Sequence, residues 1–488
     1  MTEALGRRIW LLAFILLCGA STMLEGWKMR DWSNALSPVD PSSEANALRE
    51  VDGFRAQGLA HDAGLGNVLF GTRYPDQGFP TTFGEERARS VTPSGIYTHY
   101  PPGPEYLLYV AEMAFGPEPV SRLRLVPLAL CGTAAVFFGL SVRRRFGAIV
   151  GWLVMLACLA VVPFHDANSS VHFLGYALAL LLVEIGVAVG RDRSRVPFLL
   201  LGFAQGWLSF DYVFLVVFVP MAVELSLPYI CPEHRARLRL ALGRCVLAGM
   251  GFVLAHLLHF GEVWAFYGSL GDALADLQSS ARYRAGIDQA KSTVDYIDTG
   301  LALIYYYVVS PYPISVPFWH PAPKFYAVHA FRFLGLTLGV WWLLAAAVMC
   351  LVDVRQWLRG LRPLRLLRRW YAIGLIGLGV SCVWWLVMQN HSIVHVHLLY
   401  RQMTVCFVLW VIFLAVQLEA PIERWWATYG ARFCSQLRVK NWVGRPACYL
   451  QVFEAARYRA GRPDVHAERE RLGLGKPDSE SVLKPGIH

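Results

Sequence analysis

Charged residues are scarce in this chain. Only 16% of its 488 residues are Asp, Glu, Lys or Arg, while 55% are hydrophobic and 13% are aromatic. Soluble globular proteins average about 25% charged residues. The shortage of charge excludes an ordinary soluble domain and favours a chain that is largely surrounded by lipid.

Cysteine is missing from the two long polar segments, 27–103 and 262–327, although the chain has ten cysteines. This absence excludes an exported domain held together by disulfides, which would concentrate its cysteines there. The net charge of +10 comes without a motif that combines basic and aromatic residues, so we expect no nucleic-acid partner. The sequence also lacks an internal two-fold repeat, which disfavours a transporter built from paired halves.

Long apolar runs are what the chain does have. A membrane-spanning helix needs roughly 20 apolar residues. Ten stretches approach this length: 9–26, 119–141, 147–164, 173–190, 196–210, 212–230, 245–260, 329–352, 371–388 and 402–418. The sequence therefore predicts an all-α polytopic integral membrane protein with about ten transmembrane helices. The first run has a weak cleavage signal, which favours an uncleaved signal anchor over a signal peptide.

Arginine marks every second connection between these runs. The basic connections are 142–146, 191–195, 231–244 and 353–370. Basic connections of membrane proteins face the cytoplasm, so we expect the two long polar loops on the opposite, extracytoplasmic side and both termini inside. The predicted division is a signal-anchor span (1–26), a first extracytoplasmic loop (27–118), spans two to seven (119–260), a second extracytoplasmic loop (261–328), spans eight to ten (329–418) and a basic cytoplasmic tail (419–488).

The first outer loop is too long to be a plain connector. Ala47, Val51, Phe54 and Leu59 recur near helical spacing and predict an amphipathic helix over 44–60. A second helix is predicted over 104–116, between three prolines and Gly116. It is too short to span a bilayer, so we expect it to lie along the membrane interface.

The order of these parts carries a resemblance. A single span is followed by "REVDGFRAQG", then by "YTHYPPGPEYLLYVAEMAFGPEPVSRLRLVPLAL", "VVPFHDANSS" and "LLLGFAQGWLSFDYVFLVVFVPM". Together they resemble the C-type (GT-C) membrane glycosyltransferases, which include protein mannosyltransferases and aminoarabinose transferases. The resemblance covers roughly residues 1–230 and returns at "NHSIVHVHLLYRQM". It implies a GT-C-like fold with interfacial helices in the first outer loop.

The resemblance implies a catalytic carboxylate in that loop. Family members often carry an adjacent Asp–Glu pair, whereas this chain spaces Glu50 and Asp52 two residues apart. Such residues point about 200° away from each other on a helix, so only one faces a site. Alignment of "GFRAQG" with the end of the family's helix favours Asp52 as the general base. Asp166 is the second candidate acid, and it would orient the acceptor or help to bind a metal.

Several other residues are candidates for contacting the substrate. His99 and Tyr100 would approach the phosphate or the sugar, and His165 adjoins Asp166. Arginine suits phosphate because its planar fork makes two parallel hydrogen bonds. The outer arginines are Arg55, Arg124 and Arg401. His391 and His395 share a helix face, but no third ligand is near them in sequence, so contact with a phosphate or a sugar is favoured over a metal.

The resemblance implies an inverting transfer of a sugar from a polyprenyl-phosphate donor, which GT-C enzymes of this kind use, to a hydroxyl or amine of a lipid, protein or glycan. We expect no cofactor, apart from a divalent metal as the less favoured option. The expected location is the inner membrane of a bacterium, among membrane lipids, with the site on the extracytoplasmic side. The alternatives are an envelope-polysaccharide ligase or polymerase and, less favoured, a lipid flippase or transporter.

Overall fold

The computed structural model describes part of the chain in detail. The described residues are 16, 20, 35–36, 41–71, 73–76, 91–159, 170–171, 174–190, 194–209, 212–285, 287, 351, 365–388, 402 and 404–425. The chain divides into two compact units, Phe14–Glu419 and Met1–Ala13 with Ala420–His488. Of the second unit, the described residues are 420–425 at the end of a helix.

The described part of the chain is helical. Its helices are α1 (Pro41–Gln57), α2 (Gly103–Phe115), α3 (Val120–Leu123), α4 (Leu125–Phe146), α5 (Ala148–Leu159), α6 (Leu174–Val189), α7 (Val196–Leu208), α8 (Val213–Ile230), α9 (Leu238–Tyr267), α10 (Leu270–Ala285), α11 (Arg365–Val387) and α12 (Thr404–Trp425). The described residues include two isolated β-bridges, Asn67 with Ile96 and Val91 with Tyr97. These bridges hold the segment between α1 and α2 together.

Both helices predicted in the first outer loop are present. α1 begins and ends three residues earlier than the predicted helix, and α2 begins and ends one residue earlier. α1 stops because Gly58 adopts a φ of 91° and donates its N–H to the carbonyl of Phe54 at 2.8 Å. The prediction that Leu59 belongs to the buried stripe is wrong, since Leu59 lies beyond the helix and is 40% exposed.

Four of the described helical segments are long and apolar enough to cross a membrane: Val120–Phe146, Val213–Ile230, Leu238–Tyr267 and Thr404–Glu423. Three shorter apolar helices, Ala148–Cys158, Gly175–Val189 and Val196–Leu208, match predicted runs. The described residues thus fit an all-α membrane protein. A total of about ten spans is not confirmed, because 329–352 and nearly all of 9–26 lie outside the described residues.

One face of α9 is apolar and uncovered. Its large exposed side chains are Leu238, Leu242, Val246, Met250, Val253, Leu254, Leu257, Leu258 and Trp264. Soluble proteins rarely leave so continuous an apolar surface in water. The opposite face of α9 packs along α7 and α8, within a bundle that also includes α4, α6, α11 and α12. This division between a packed face and an apolar outer face suits a helix that borders lipid.

Two of the basic connections, 142–146 and 231–244, meet beside the end of α6. Arg145 donates to the carbonyl of Val189, at the end of α6, at 2.8 Å, and its Nη2 lies 2.9 Å from His234 Nδ1. His234 and Arg237 both bind Glu224 of α8, at 2.8 and 3.0 Å. Two of the predicted basic connections, 142–146 and 231–244, are therefore neighbours in space, whereas 191–193 and 353–364 lie outside the described residues.

The crossing of α7 and α9 depends on glycine. Gly202 and Gly206 of α7 have the four-residue spacing that lets two helix backbones approach closely in membranes. A Cβ atom added at Gly202 would overlap the carbonyl of Ala248, and one at Gly251 would overlap the carbonyl of Leu199. Backbone carbonyls cannot swing aside as side chains do, so the contact requires glycine on both helices.

We expect Gly251→Ala to destabilise the protein by about 1–3 kcal/mol, because the added methyl group overpacks the crossing. Gly249→Ala is the matched control. Its Cβ would meet only the side chain of Val217, at an ordinary 3.8 Å. Thermal unfolding followed by tryptophan fluorescence, in the same lipid or detergent, measures both variants. Equal melting temperatures for the two variants would contradict the predicted crossing.

Candidate functional site

α1 carries three carboxylates that face different partners. Its buried residues include Ala47, Leu48, Val51 and Phe54, so the helix packs over most of its surface. The carboxylates belong to Glu44, Glu50 and Asp52. Each makes a different set of contacts, so the three have different chemistry although they lie within nine residues of one another.

Glu44 forms a buried ion pair with Arg124. Arg124 Nε lies 3.0 Å from Glu44 Oε1 and Nη2 lies 2.7 Å from Oε2, with both side chains 0% exposed. The backbone N–H of Val171 also donates to Oε1, at 3.0 Å, and Arg124 Nη2 donates to the carbonyl of Ala35. In this structure Arg124 has a structural role, and its predicted role as a phosphate ligand stays a prediction. Its guanidinium is already bound by a carboxylate and closed off from solvent.

Asp52 belongs to a network of four charged groups, which we call the Asp52 network: Asp52, Arg55, Arg73 and Glu112. Arg73 Nε lies 3.2 Å from Asp52 Oδ2, and Arg73 Nη1 lies 3.4 Å from Glu112 Oε1. Arg55 Nη2 lies 3.4 Å from Asp52 Oδ1, and Nη1 lies 3.6 Å from Glu112 Oε2. Each arginine thus bridges both carboxylates.

Solvent reaches the Asp52 network from one side. The side chain of Arg55 is 47% exposed, those of Asp52 and Arg73 are 15–16% exposed, and that of Glu112 is 2% exposed. Burial raises the pKa of Asp52, while the charges of Arg73 and Arg55 oppose that rise. Burial likewise raises the pKa of Glu112, again opposed by Arg73. Asp52 is therefore a stronger base than a solvated aspartate and remains accessible.

Glu50 has a different environment. It is 5% exposed and packs so closely on Gly66 that a Cβ there would overlap its carboxyl group. Burial raises the pKa of Glu50 well above its usual value, and the nearby charge of Glu105 raises it further. Burial also raises the pKa of Glu105, to about 7. Burial and mutual repulsion therefore favour the protonated form of these carboxyls.

His99 lies in a second polar region, where the loop before α2 meets α9 and α10. Its Nδ1 is 3.1 Å from Ser280 Oγ and its Nε2 is 3.6 Å from Asp276 Oδ1. The order Ser–His–Asp is that of a hydrolase triad. The His99 side chain and Ser280 are each only 3% exposed, so neither is open to a substrate. Burial lowers the pKa of His99, which keeps its ring neutral near pH 7.

Tyr100 faces the same region. Its ring stacks on that of Tyr97, with centroids 5.7 Å apart and planes 17° apart. The guanidinium carbon of Arg284 lies 4.7 Å from the centroid of Tyr100, a cation–π contact. His99 and Tyr100 are thus adjacent to each other, and their described contacts are separate from the Asp52 network.

Five predicted site residues lie outside the described residues: Asp166, His165, His391, His395 and Arg401. Within the described part of the chain, no group of three or more His, Cys, Asp or Glu side chains is arranged to hold a metal ion. The suggested roles of these five residues, including the metal option, therefore stay predictions.

Sequence reasoning missed Arg73, Glu105 and Glu112. The sequence did contain a signal for the two glutamates. Residues seven apart share a face of a helix, so Glu105 and Glu112 form one polar stripe on an otherwise largely apolar α2. α2 turns Glu105 and Glu112 inwards and leaves Leu107, Val110 and Met113 exposed. A helix in water does the reverse. This orientation suits the interfacial position predicted for α2, and it brings Glu112 to the Asp52 network.

Comparison with known proteins gives little guidance. No protein-family model matches the chain, and no curated protein sequence matches it. The structure is similar to the crystal structure of the Archaeoglobus fulgidus oligosaccharyltransferase in the apo form, with 13% identity and a TM-score of 0.41. The match covers 97% of this chain but 61% of that protein. A TM-score this low does not establish a shared fold, so the function must be argued from the residues themselves.

Removing one partner of the Glu44–Arg124 pair is expected to cost about 3–5 kcal/mol, because a buried charge is left uncompensated. Arg124→Gln should therefore lower the melting temperature strongly. Arg122→Gln, at an exposed position two residues away, is the control. The double variant Glu44→Gln/Arg124→Met should recover part of the loss. An Arg124→Gln protein as stable as the control would show that the pair does not hold α1 in place.

Stability should fall as pH rises, partly through Glu105. The folded state binds the proton more tightly than the unfolded chain does, since the pKa rises from 4.5 to about 7 on folding. The stabilising effect of protonation is full below the lower value and is lost as pH passes the higher one. Glu105→Gln should flatten the decline in melting temperature between pH 5 and pH 8, whereas exposed Glu118→Gln should not. Parallel curves for wild type and Glu105→Gln would contradict this.

Proposed function

We propose that the chain is a membrane glycosyltransferase that moves a sugar from a polyprenyl-phosphate donor to an acceptor hydroxyl or amine, with inversion. The acceptor oxygen or nitrogen attacks the anomeric carbon, and its proton passes to the carboxylate of Asp52. The bond from that carbon to the phosphate oxygen breaks, and polyprenyl phosphate leaves with the bonding electrons. One base is sufficient for such a single displacement, whereas a retaining hydrolase needs two carboxylates.

The observation that carries this proposal is the Asp52 network. Transfer from a lipid phosphate needs a base for the acceptor and cations for the leaving group within the same small volume. Asp52 lies 3.2–3.4 Å from one nitrogen of each of two arginines. A carboxylate that acts as a general base typically contributes about 10²–10⁴-fold to the rate. The raised pKa of Asp52 strengthens it for that task.

Arg73 and Arg55 are the proposed ligands of the leaving phosphate. Their planar guanidinium groups suit the oxygens of a phosphate, and each now bridges two carboxylates. A phosphate that approached from the exposed side of Arg55 would compete with Asp52 for both arginines. Asp52 would then be released from its ion pairs and free to accept a proton, while Glu112 would hold the arginines in place.

Glu50 is not the proposed base. Its carboxyl is 5% exposed and its raised pKa favours the protonated form, which cannot accept a proton. A position about 200° around the helix from Asp52 also turns it away from the Asp52 network. We propose instead that Glu50 and Glu105 fix the segment around Gly66 beneath the site.

The remaining candidate residues are proposed to have the roles that the sequence predicts for them. Asp166, with His165 beside it, would orient the acceptor. Arg401, with His391 and His395, would bind the donor phosphate or sugar from the last span. The site would lie on the extracytoplasmic face of a bacterial inner membrane, where polyprenyl-phosphate sugars are used.

The test is transfer by the purified full-length protein. It is incubated with a set of radiolabelled polyprenyl-phosphate sugars and a cell-envelope extract as the source of acceptor. Asp52→Asn should lower transfer by about 10²–10⁴-fold, because the amide cannot take the acceptor's proton. Asp76→Asn, the same change at an exposed position of the same loop, should leave transfer unchanged. Glu50→Gln should also retain transfer.

Three further results decide the proposal. Arg73→Gln should raise the KM for the donor, measured on protein that stays folded at the assay temperature. Full transfer by Asp52→Asn would show that the base is elsewhere. Polymerisation of lipid-linked oligosaccharides, with no transfer from any polyprenyl-phosphate sugar, would favour the envelope-polysaccharide ligase or polymerase instead.

A further inference from the structure

A cavity lies apart from the Asp52 network, at the corner between α9 and α10. α9 ends at Gly268, whose φ of 65° lets the chain turn before α10 begins. The cavity has a volume of about 490 Å³, within the range of roughly 300–1,000 Å³ that small-molecule sites occupy. It is lined by Val91, Thr92, Pro93, Ser94, Phe266, Tyr267 and Asp276.

One wall of the cavity is a tight turn that carries two hydroxyl groups. Thr92 Oγ1 and Ser94 Oγ are 2.9 Å apart, and the N–H of Ile96 donates to Thr92 Oγ1 at 3.0 Å. Gly95 completes the turn with a φ of 91°, a conformation that other residues rarely adopt. The hydroxyls are therefore held in fixed positions and can both donate and accept hydrogen bonds.

Asp276 adds a carboxylate to the lining of the cavity. Burial alone would raise the pKa of Asp276, but contacts with His99, Thr98 and Tyr267 outweigh it and lower the pKa. His99 in turn is fixed by Ser280, at 3.1 Å. Ser280 thus orients the ring of His99, whose Nε2 lies 3.6 Å from Asp276 Oδ1 at the cavity. The carboxylate is 17% exposed, so a ligand in the cavity can reach it.

Two aromatic residues, Phe266 and Tyr267, also line the cavity. The centroids of Phe266 and Tyr267 are 5.2 Å apart, and their planes meet at 69°. A lining of this kind offers an apolar face next to a carboxylate and hydroxyl groups. Sugar rings have the matching surfaces, with C–H groups on their faces and hydroxyl groups around their edges.

We propose that this cavity binds a saccharide ring. Asp276 would accept hydrogen bonds from two sugar hydroxyls, Thr92 and Ser94 would bond to others, and Phe266 or Tyr267 would pack on the C–H face. The proposal rests on the proposed glycosyltransferase function. The described lining of the cavity shares no residue with the Asp52 network, beside which the reacting anomeric carbon would lie, so the ring would be a non-reacting sugar of a glycan acceptor.

The charges around the cavity favour a neutral ligand. The guanidinium of Arg284 lies over the ring of Tyr100, and its charge lowers the pKa of His99 beside Asp276. Among the described residues that line the cavity, the only charged side chain is that of Asp276, whose carboxylate would repel a phosphate. A neutral saccharide avoids that repulsion, and methylamine serves as the probe for a cationic ligand.

Binding is measured on the full-length protein in lipid nanodiscs. Maltoside and glucoside detergents must be avoided, because they carry sugar rings themselves. Saturation-transfer NMR is recorded with the methyl glycosides of glucose, galactose, mannose, N-acetylglucosamine and arabinose. At least one glycoside should bind in the millimolar range. Asp276→Asn should weaken that binding at least about tenfold, because a site built to bond hydroxyls loses much when one partner changes.

The matched control is Asp272→Asn, an exposed position one helical turn earlier on α10. It should bind the glycoside as the wild type does, and Tyr267→Ala should bind it more weakly. Binding by none of the five glycosides would overturn the proposal. Equal binding by Asp276→Asn would also overturn it, and so would binding of methylamine in place of the glycosides.

The transfer assay separates this proposal from the proposed function. In that assay Asp276→Asn should raise the KM for the acceptor and should change the KM for the donor and kcat little. Normal transfer without glycoside binding would overturn the cavity proposal alone. Glycoside binding without transfer from any donor would overturn the glycosyltransferase proposal alone.

Discussion

The buried ion pair between Glu44 and Arg124 fixes the position of everything that we assign to the site. Arg124 stands at the start of the helical segment Val120–Phe146, and Glu44 stands in the first turn of α1. Two charges with 0% exposure stay buried only when each satisfies the other. The pair therefore anchors a polar helix to the apolar bundle in one orientation. The N–H of Val171 adds the segment before α6 to the same anchor.

Once α1 is anchored, helix geometry distributes its other acids. Glu50 meets Gly66 and the charge of Glu105, whereas Asp52 meets two arginines. The same functional group thus lies in a buried setting that favours its protonated form on one side of the helix and beside two cations on the other. Environment, and not residue type, separates the two roles. The arginines that make the difference come from α1 itself and from a loop 21 residues beyond Asp52, at Arg73.

The apolar helices and the polar loop segments are coupled through α2. Its exposed face carries Leu107, Val110 and Met113, while Glu105 and Glu112 point into the protein. In this orientation α2 is stabilised on its outer face by contact with lipid, while its carboxyl groups lie buried within the protein. The cavity beside α9 and α10 uses the same arrangement, with polar groups fixed at the end of an apolar helix. Both polar regions that we describe therefore depend on the boundary between the bundle and the polar segments.

The sequence by itself determined the helical class and the limits of α1 and α2 to within three residues. It also determined most of the described apolar helices. These features follow from local periodicity and composition. The sequence also identified Asp52 and Glu50 as candidates. It did not determine which arginine serves which carboxylate. Arg124 was expected to bind substrate and is paired with Glu44, 80 residues away, while Arg73 and Glu112 were missed. Only the tertiary structure decided these contacts, because an ion pair depends on distance in space, which sequence separation does not reveal.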